Sequence, residues 1–169
     1  EAKYYLLKND KNLFIKEIKN KAAFIKCSAT STCPEISKGN IIHFVSRKAF
    51  DIEGLGESQI RILWRLSIVK SFNDIFSLED RHKKKVIDLE KIEGWGKKSI
   101  LNLFNSIENS KKIQFEKMIY ALGIRNVGQG TANILAKNFK NAEEFIDFFK
   151  SEKKYKKNIF GIGDIILKS

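Results

Sequence analysis

Apolar residues follow a helical spacing through most of the chain. From Ile41 to the end, Leu, Ile and Phe recur at intervals of three and four residues, and this pattern breaks only at glycines. The first 26 residues differ, because apolar pieces such as "LFIKEI" and "AAFIKC" alternate with lysines, which is typical of short strands around a turn. We therefore predict a small β-rich module over residues 1–40 and an all-α domain over residues 41–169.

A polar loop is predicted where these two parts meet. The segment "CSATSTCPEI" holds both cysteines, Cys27 and Cys33, and the only proline, Pro34. Two cysteines cannot form a disulfide framework, which favours an intracellular protein. No run of about 18 apolar residues occurs, so the sequence predicts no membrane span. The first residue is not methionine, and we expect the chain to be part of a longer protein.

A glycine pattern divides the helical domain into four similar units. It reads Gly-Leu-Gly at 54–56, Gly-Trp-Gly at 94–96, Asn-Val-Gly at 126–128 and Gly-Ile-Gly at 161–163. In the first three units, apolar residues stand five and two positions before the pattern and four, seven and eight positions after it. These spacings place the apolar groups on one helical face. Each unit is therefore predicted to be a short helix, a glycine hairpin and a second, amphipathic helix.

Glycine is expected in the hairpins because the backbone turns there through positive φ, where a Cβ atom costs energy. In the third unit Asn126 takes the first position, and asparagine tolerates this region better than other residues with a side chain. The fourth unit is less complete, because Lys156 occupies an expected apolar position. We expect a bulky residue at Gly56 or Gly96 to strain the turn and to block the approach of a ligand.

The charge of the chain favours a polyanionic partner, since its formal net charge is +12. Lys and Arg outnumber Asp and Glu by ten to four in residues 1–50 and by twelve to six in residues 111–169, whereas residues 51–110 hold ten of each. A surface rich in lysine for solubility alone gives the same totals. Charge by itself therefore leaves nucleic-acid binding and simple solvation as alternatives.

The hairpins favour nucleic-acid binding over simple solvation. A glycine turn that leads into a helix presents backbone N–H groups at the positive end of the helix dipole, and this is an anion site. Two such sites side by side can hold phosphates of both strands of a duplex without reading its sequence. The alternative is a helical corner that uses glycine only to turn, but the repetition on a basic chain favours DNA. The candidate DNA-binding residues are Gly54, Gly56, Gly94, Gly96, Lys97, Lys98, Arg125, Asn126, Gly128, Gly161 and Gly163.

Three stretches of the sequence resemble the helix-hairpin-helix domain of bacterial NAD⁺-dependent DNA ligases. They are "IIHFVSRKAFDIEGLGE" (41–57), "IEGWGKKSILNLFNSIENSKK" (92–112) and "MIYALGIRNVGQGTANILAKNF" (118–139), and the resemblance covers residues 9–169 in order. It implies a mainly α fold with four tandem helix-hairpin-helix motifs behind a zinc-ribbon-like module. It also implies a domain that clasps nicked double-stranded DNA along the minor groove, as part of an enzyme that seals nicks in replication and repair.

The same resemblance implies a zinc finger with four cysteines ahead of the helical domain. Cys27 and Cys33 match its last pair, but the first pair falls at Asn9 and Asn12, and asparagine is a poor zinc ligand beside thiolate. Zinc binding is therefore doubtful, and two free thiols in a degenerate ribbon are the alternative. Two histidines are conceivable substitutes, although ordinary polar roles are favoured for both: His43 and His82.

The chain lacks the residues that ligation chemistry needs. The nucleotidyltransferase motif Lys-x-Asp-Gly does not occur in it, so we expect it to be inactive alone and NAD⁺ to be used by other domains of the parent ligase. We also expect a cytoplasmic monomer. Two alternatives stay open: a helix-hairpin-helix module of another repair system, such as an excision nuclease or a Holliday-junction complex, and a helical protein-interaction domain.

Overall fold

The computed structural model of the chain describes residues 33–151 and residue 163. This part is mainly helical and contains no strand; residues 1–32 of the predicted β-rich module lie outside the described residues, and residues 34–40 are helical. None of its helices is long and apolar enough to cross a membrane. Eight α-helices occur in it: α1 (Pro34–Val45), α2 (Glu57–Arg65), α3 (Phe72–Phe76), α4 (Leu78–Lys83), α5 (Lys97–Ser110), α6 (Phe115–Ala121), α7 (Gln129–Lys137) and α8 (Ala142–Lys150).

The first helix begins at Pro34, where the sequence predicted a polar loop. Proline suits the first turn of a helix, because the N–H group that it lacks has no partner inside the helix. The N-cap residue is Cys33, which is buried. The loop prediction is therefore wrong for residues 34–36. The predicted domain boundary near residue 40 remains a prediction, and α1 runs across that position.

The larger of two cores is built from α1 to α5 and the turns between them. Phe44 of α1 stacks on Phe50 at 4.1 Å and on Phe72 at 4.3 Å between ring centroids. Such aromatic pairs contribute about 1 kcal/mol each beyond the area that they bury. The fully buried aliphatic residues of this core include Ile41, Leu55, Ile60, Leu63, Ile75, Leu78, Leu89 and Leu103.

A smaller core joins α6, α7 and α8. Helix α6 packs along α7, and the rings of Phe139 and Phe145 meet edge to face at 5.4 Å between centroids. Tyr120 on α6 is half-buried and packs against both cores. The other buried residues of the smaller core are Ile119, Val127, Ala132, Leu135 and Phe148.

The segments before the first three hairpins differ from one another in secondary structure, although the sequence predicted a short helix in each. Only the third is an α-helix, α6; the first is a series of turns over residues 46–50, and the second is a 3₁₀ turn at Leu89–Lys91. A first hydrogen-bonded turn fixes several backbone angles for one hydrogen bond, so segments of four or five residues gain little from becoming α-helical. The apolar residues five positions before each of these hairpins are nevertheless buried, namely Ala49, Leu89 and Ala121.

Candidate nucleic-acid interface

The first three hairpins share one backbone conformation at their first position. The φ angle is +87° at Gly54, +83° at Gly94 and +64° at Asn126. The predicted positive φ is therefore confirmed at all three, including the position where asparagine replaces glycine.

The same hydrogen bonds close each of these hairpins. The N–H of the middle residue donates to the carbonyl oxygen three positions earlier, at 3.3 Å for Leu55, 3.0 Å for Trp95 and 3.0 Å for Val127. These three side chains are buried, so each hairpin is anchored in a core by its tip. The first helical bonds then follow, and Ile100 N–H, for example, donates to Gly96 O at 3.0 Å. The hairpins are thus built alike, although the segments before them are not.

The second glycine of each hairpin is the N-cap residue of the helix that follows. Its φ is −73° at Gly56, −88° at Gly96 and −84° at Gly128, values that any residue can adopt. The expectation that substitution strains the turn is therefore wrong for Gly96, since the positive φ lies two residues earlier, whereas at Gly56 a Cβ atom would come close to Gln59. No side chain caps α2, α5 or α7. The first N–H groups of these helices have no partner within the helix and lie at its positive end.

The space around the second glycine separates the first hairpin from the other two. A Cβ atom at Gly96 or Gly128 would meet no atom of the described residues within 4 Å. At Gly56 it would lie 3.1 Å from Oε1 of Gln59, which also accepts a hydrogen bond of 2.8 Å from the Ser58 hydroxyl. A residue with a side chain at position 56 would therefore have to displace the flexible end of Gln59. No described neighbour requires glycine at positions 96 and 128, where a close-approaching ligand would.

The charged residues at the helix starts also distinguish the first hairpin from the second and third. Helix α5 begins with the exposed lysines Lys97 and Lys98 and has no acidic residue in its first turn. Cations at the positive end of a helix are unfavourable, and a bound anion removes that cost. The first hairpin leads instead into Glu57, whose carboxylate accepts hydrogen bonds of 2.9 and 2.7 Å from Arg61. The exposed Arg125 lies in the third hairpin.

The described helices outside the hairpins differ at their starts, since α3 and α8 have a side-chain cap and α1, α4 and α6 have none. At α3, Ser71 and Asp74 form a reciprocal capping box. At α8, Oδ1 of Asn141 accepts a hydrogen bond of 2.8 Å from the N–H of Glu144. Side chains that satisfy these groups are thus available to the fold. The helices that begin at hairpins use glycine instead and leave the same groups open.

The fourth hairpin and the cysteine pair can be placed only in part. Gly163 is exposed, whereas Gly161 and Cys27 lie outside the described residues. Over residues 33–151 and at 163, no group of three or more His, Cys, Asp and Glu side chains is arranged to hold a metal ion. Cys33 therefore has no described partners that would form a zinc site with it.

Both histidines have partners within the fold. His43 Nε2 lies 2.9 Å from the carbonyl oxygen of Tyr120, and Nδ1 of His82 accepts a hydrogen bond of 3.3 Å from the N–H of Leu89. These contacts are the ordinary polar roles that the sequence favoured for them.

Sequence reasoning missed two features of the interface. One is the pairing of Glu57 with Arg61, for which the spacing of four residues on a helix was a usable signal. The other is a polar groove beside the third hairpin, between Lys48 and Lys117. The sequence gives no signal for it, because the two lysines belong to different units and only the packing of α1 against α6 brings them together.

Comparison with known proteins gives two results. Residues 117–166 match the helix-hairpin-helix motif family. Over 150 residues, or 85% of this chain, the sequence is 41% identical to a DNA ligase of Rickettsia prowazekii (strain Madrid E) and to one of Rickettsia bellii (strain OSU 85-389). A DNA ligase of Rickettsia canadensis (strain McKiel) is 39% identical over the same length. The chain spans only 22% of each of these relatives.

Proposed function

We propose that the chain is a C-terminal segment of a DNA ligase and that it binds duplex DNA through backbone phosphates without reading base sequence. The identity of about 40% over 150 residues and the matched helix-hairpin-helix motif support this assignment. The observation that carries it is the pair of helix starts at Gly96 and Gly128, which are open to solvent and lack a side-chain cap. Such starts present N–H donors to an oxyanion.

The second and third hairpins make the main phosphate contacts in this proposal. Lys97 and Lys98 add positive charge beside the open start of α5, and Arg125 adds it beside that of α7. The first hairpin contributes less, because the Glu57 carboxylate lies at the start of α2, where it would repel a phosphate. Gly54 and Gly56 therefore serve mainly the fold, and Gly161 and Gly163 are retained as candidate contacts of a fourth hairpin.

The segment acts as the DNA-holding part of a larger ligase. We propose that this ligase is of the NAD⁺-dependent type and seals nicks, with adenylation carried out by its other domains. The Lys-x-Asp-Gly motif is absent from the 169 residues of this sequence, which supports a binding role rather than a catalytic one. The cytoplasmic location and the monomeric state expected from the sequence remain predictions, as does zinc binding at Cys27 and Cys33.

Fluorescence anisotropy with labelled DNA tests this function. The chain should bind nicked and intact duplexes more tightly than single strands, and the affinity should fall steeply with salt, because each neutralised phosphate contributes about 0.9 to the slope of log K against log salt concentration. A preference for four-way junctions over nicked duplex would favour a module of another repair system. A folded sample that binds no DNA at low salt would contradict the proposal and favour a protein-interaction domain.

A further inference from the structure

A polar groove of about 220 Å³ lies beside the third hairpin. It is separate from the hairpin tips, because its walls come from the turn after α1 and from the facing sides of α6 and α7. Its lining residues are Lys48, Glu116, Lys117, Tyr120, Gln129 and Asn133. None of these six carries an aliphatic hydrocarbon side chain, so an apolar ligand would gain little there.

The two sides of the groove are held at a fixed separation. His43 on α1 contacts Tyr120 on α6 through the 2.9 Å hydrogen bond and through ring packing at 4.8 Å between centroids. Lys48 follows α1 by three residues, and Lys117 lies one helical turn before Tyr120. The contact between α1 and α6 therefore holds the backbones of Lys48 and Lys117 on opposite sides of the groove.

The charge and the donors in the groove suit an oxyanion. Lys48 and Lys117 are both exposed, and neither is within 4.0 Å of a carboxylate oxygen in the described part of the chain. The amides of Gln129 and Asn133 add N–H donors one turn apart on α7. Among the described residues of the lining, Glu116 is the single carboxylate, so these residues carry two positive charges against one negative charge.

The groove is continuous with the third hairpin, because Gln129 both lines it and forms the first residue of α7. The start of α7 and the groove are therefore neighbouring surfaces that one DNA strand could follow. We propose that Lys48 and Lys117 bind a backbone phosphate of duplex DNA adjacent to the one held by the third hairpin. This inference rests on the proposed function and extends the DNA-binding surface from the third unit to the first.

The double variant Lys48→Ala/Lys117→Ala tests the groove. We expect duplex affinity to fall about tenfold, as for the loss of hydrogen bonds to a charged group. The slope of log K against log salt should decrease by about 0.9 if one phosphate is no longer neutralised. The control is Lys112→Ala/Lys137→Ala, which removes the same charge from exposed positions outside the groove. Equal reductions in affinity in the two double variants would mean that only net charge matters and would overturn the proposal.

A second variant changes affinity in the opposite direction. Glu116→Gln removes the carboxylate that repels the phosphate, so duplex affinity should rise about threefold, and Glu143→Gln is its matched control because both residues lie in the first turn of a helix. If Glu116→Gln binds no more tightly than its control, the groove is not a phosphate site. A parent chain that binds no duplex would instead refute the proposed function itself, so the two failures are distinguishable.

Discussion

His43 donates a hydrogen bond of 2.9 Å from Nε2 to the carbonyl oxygen of Tyr120, which lies 77 positions further along the chain. A carbonyl oxygen can only accept, so Nε2 carries the proton. This bond joins the first helix to the third helix-hairpin-helix unit. Tyr120 also lines the groove, together with Lys48 and Lys117.

Replacing His43 should weaken the contact between α1 and α6 and destabilise the fold. We expect His43→Ala to lower the free energy of unfolding by about 1–3 kcal/mol, because the Tyr120 carbonyl loses its donor and the ring packing disappears as well. Urea denaturation followed by circular dichroism measures this change. His43→Gln keeps an N–H donor and should recover part of the stability. Unchanged stability in both variants would show that the bond does not hold the units together.

Substitution at the second hairpin should separate folding from DNA binding. Gly96→Ser places a good N-cap residue at φ −88° with no neighbour in its way, so stability should stay equal or rise by a few tenths of a kcal/mol. DNA affinity should nevertheless fall, because the hydroxyl takes an N–H donor and the side chain blocks a phosphate. Gly94→Ala is the converse control: at φ +83° it should cost about 1–2 kcal/mol of stability. Urea denaturation measures the stability of both variants, and fluorescence anisotropy on the same samples measures their DNA affinity.

The first hairpin should be less sensitive than the second. Gly56→Ser meets Gln59 and lies beside the Glu57 carboxylate, so little bound phosphate is displaced and duplex affinity should fall less than for Gly96→Ser. Anisotropy titrations of both variants at one salt concentration give the comparison. An equal decrease in affinity for the two variants would mean that all the hairpins bind DNA alike.

The lysines at the start of α5 should affect stability and binding in opposite directions. Lys97→Ala/Lys98→Ala removes two cations from the positive end of the helix, so the free energy of unfolding should rise by about 0.3–1 kcal/mol. Duplex affinity should fall for every base sequence, and the salt slope should decrease by about 0.9 for each phosphate that the variant no longer neutralises. A decrease in affinity that depends on base sequence would contradict phosphate recognition.

The capping box of α3 should make stability depend on pH in the acid range. Burial alone would raise the pKa of the Asp74 carboxyl, but hydrogen bonds from Lys70 and Ser71, together with the charge of Arg81, lower its pKa below the usual value of 3.8. The folded state therefore favours the ionised carboxyl. Its stabilising effect is complete above pH 3.8 and is lost as the pH falls through the lower pKa of the folded state.

Comparison of the parent chain with Asp74→Asn measures this effect. The difference in stability between them should be constant near neutral pH and should shrink as the pH falls below about 4. A difference that persists unchanged down to about pH 2 would assign the effect to side-chain shape rather than to ionisation.

The sequence predicts the hairpins well because their geometry is local. Positive φ at Gly54, Gly94 and Asn126 follows from residue type and repetition, and so does burial of the residue between the two hairpin positions. The start of α1 at Pro34 had a local signal too, since proline is common in the first turn of a helix, but the neighbouring polar residues pointed to a loop.

The differences between the hairpins depend on side-chain positions that spacing does not fix. Gln59 closes the space beside Gly56, whereas nothing described lies within 4 Å of a Cβ atom at Gly96. The groove depends on packing between units that are far apart in the chain, so no local sequence pattern predicts it. The sequence therefore identifies where a phosphate could bind but does not rank the sites.

Tyr120 packs against both cores, and this makes the described helices thermodynamically interdependent. Neither core can melt without exposing apolar surface of the other, so heating should produce one cooperative transition rather than two. Amide protons of α1 and α7 should then exchange with solvent through the same global opening. A nucleic acid held at the third hairpin alone would slow hydrogen exchange throughout α1 as well.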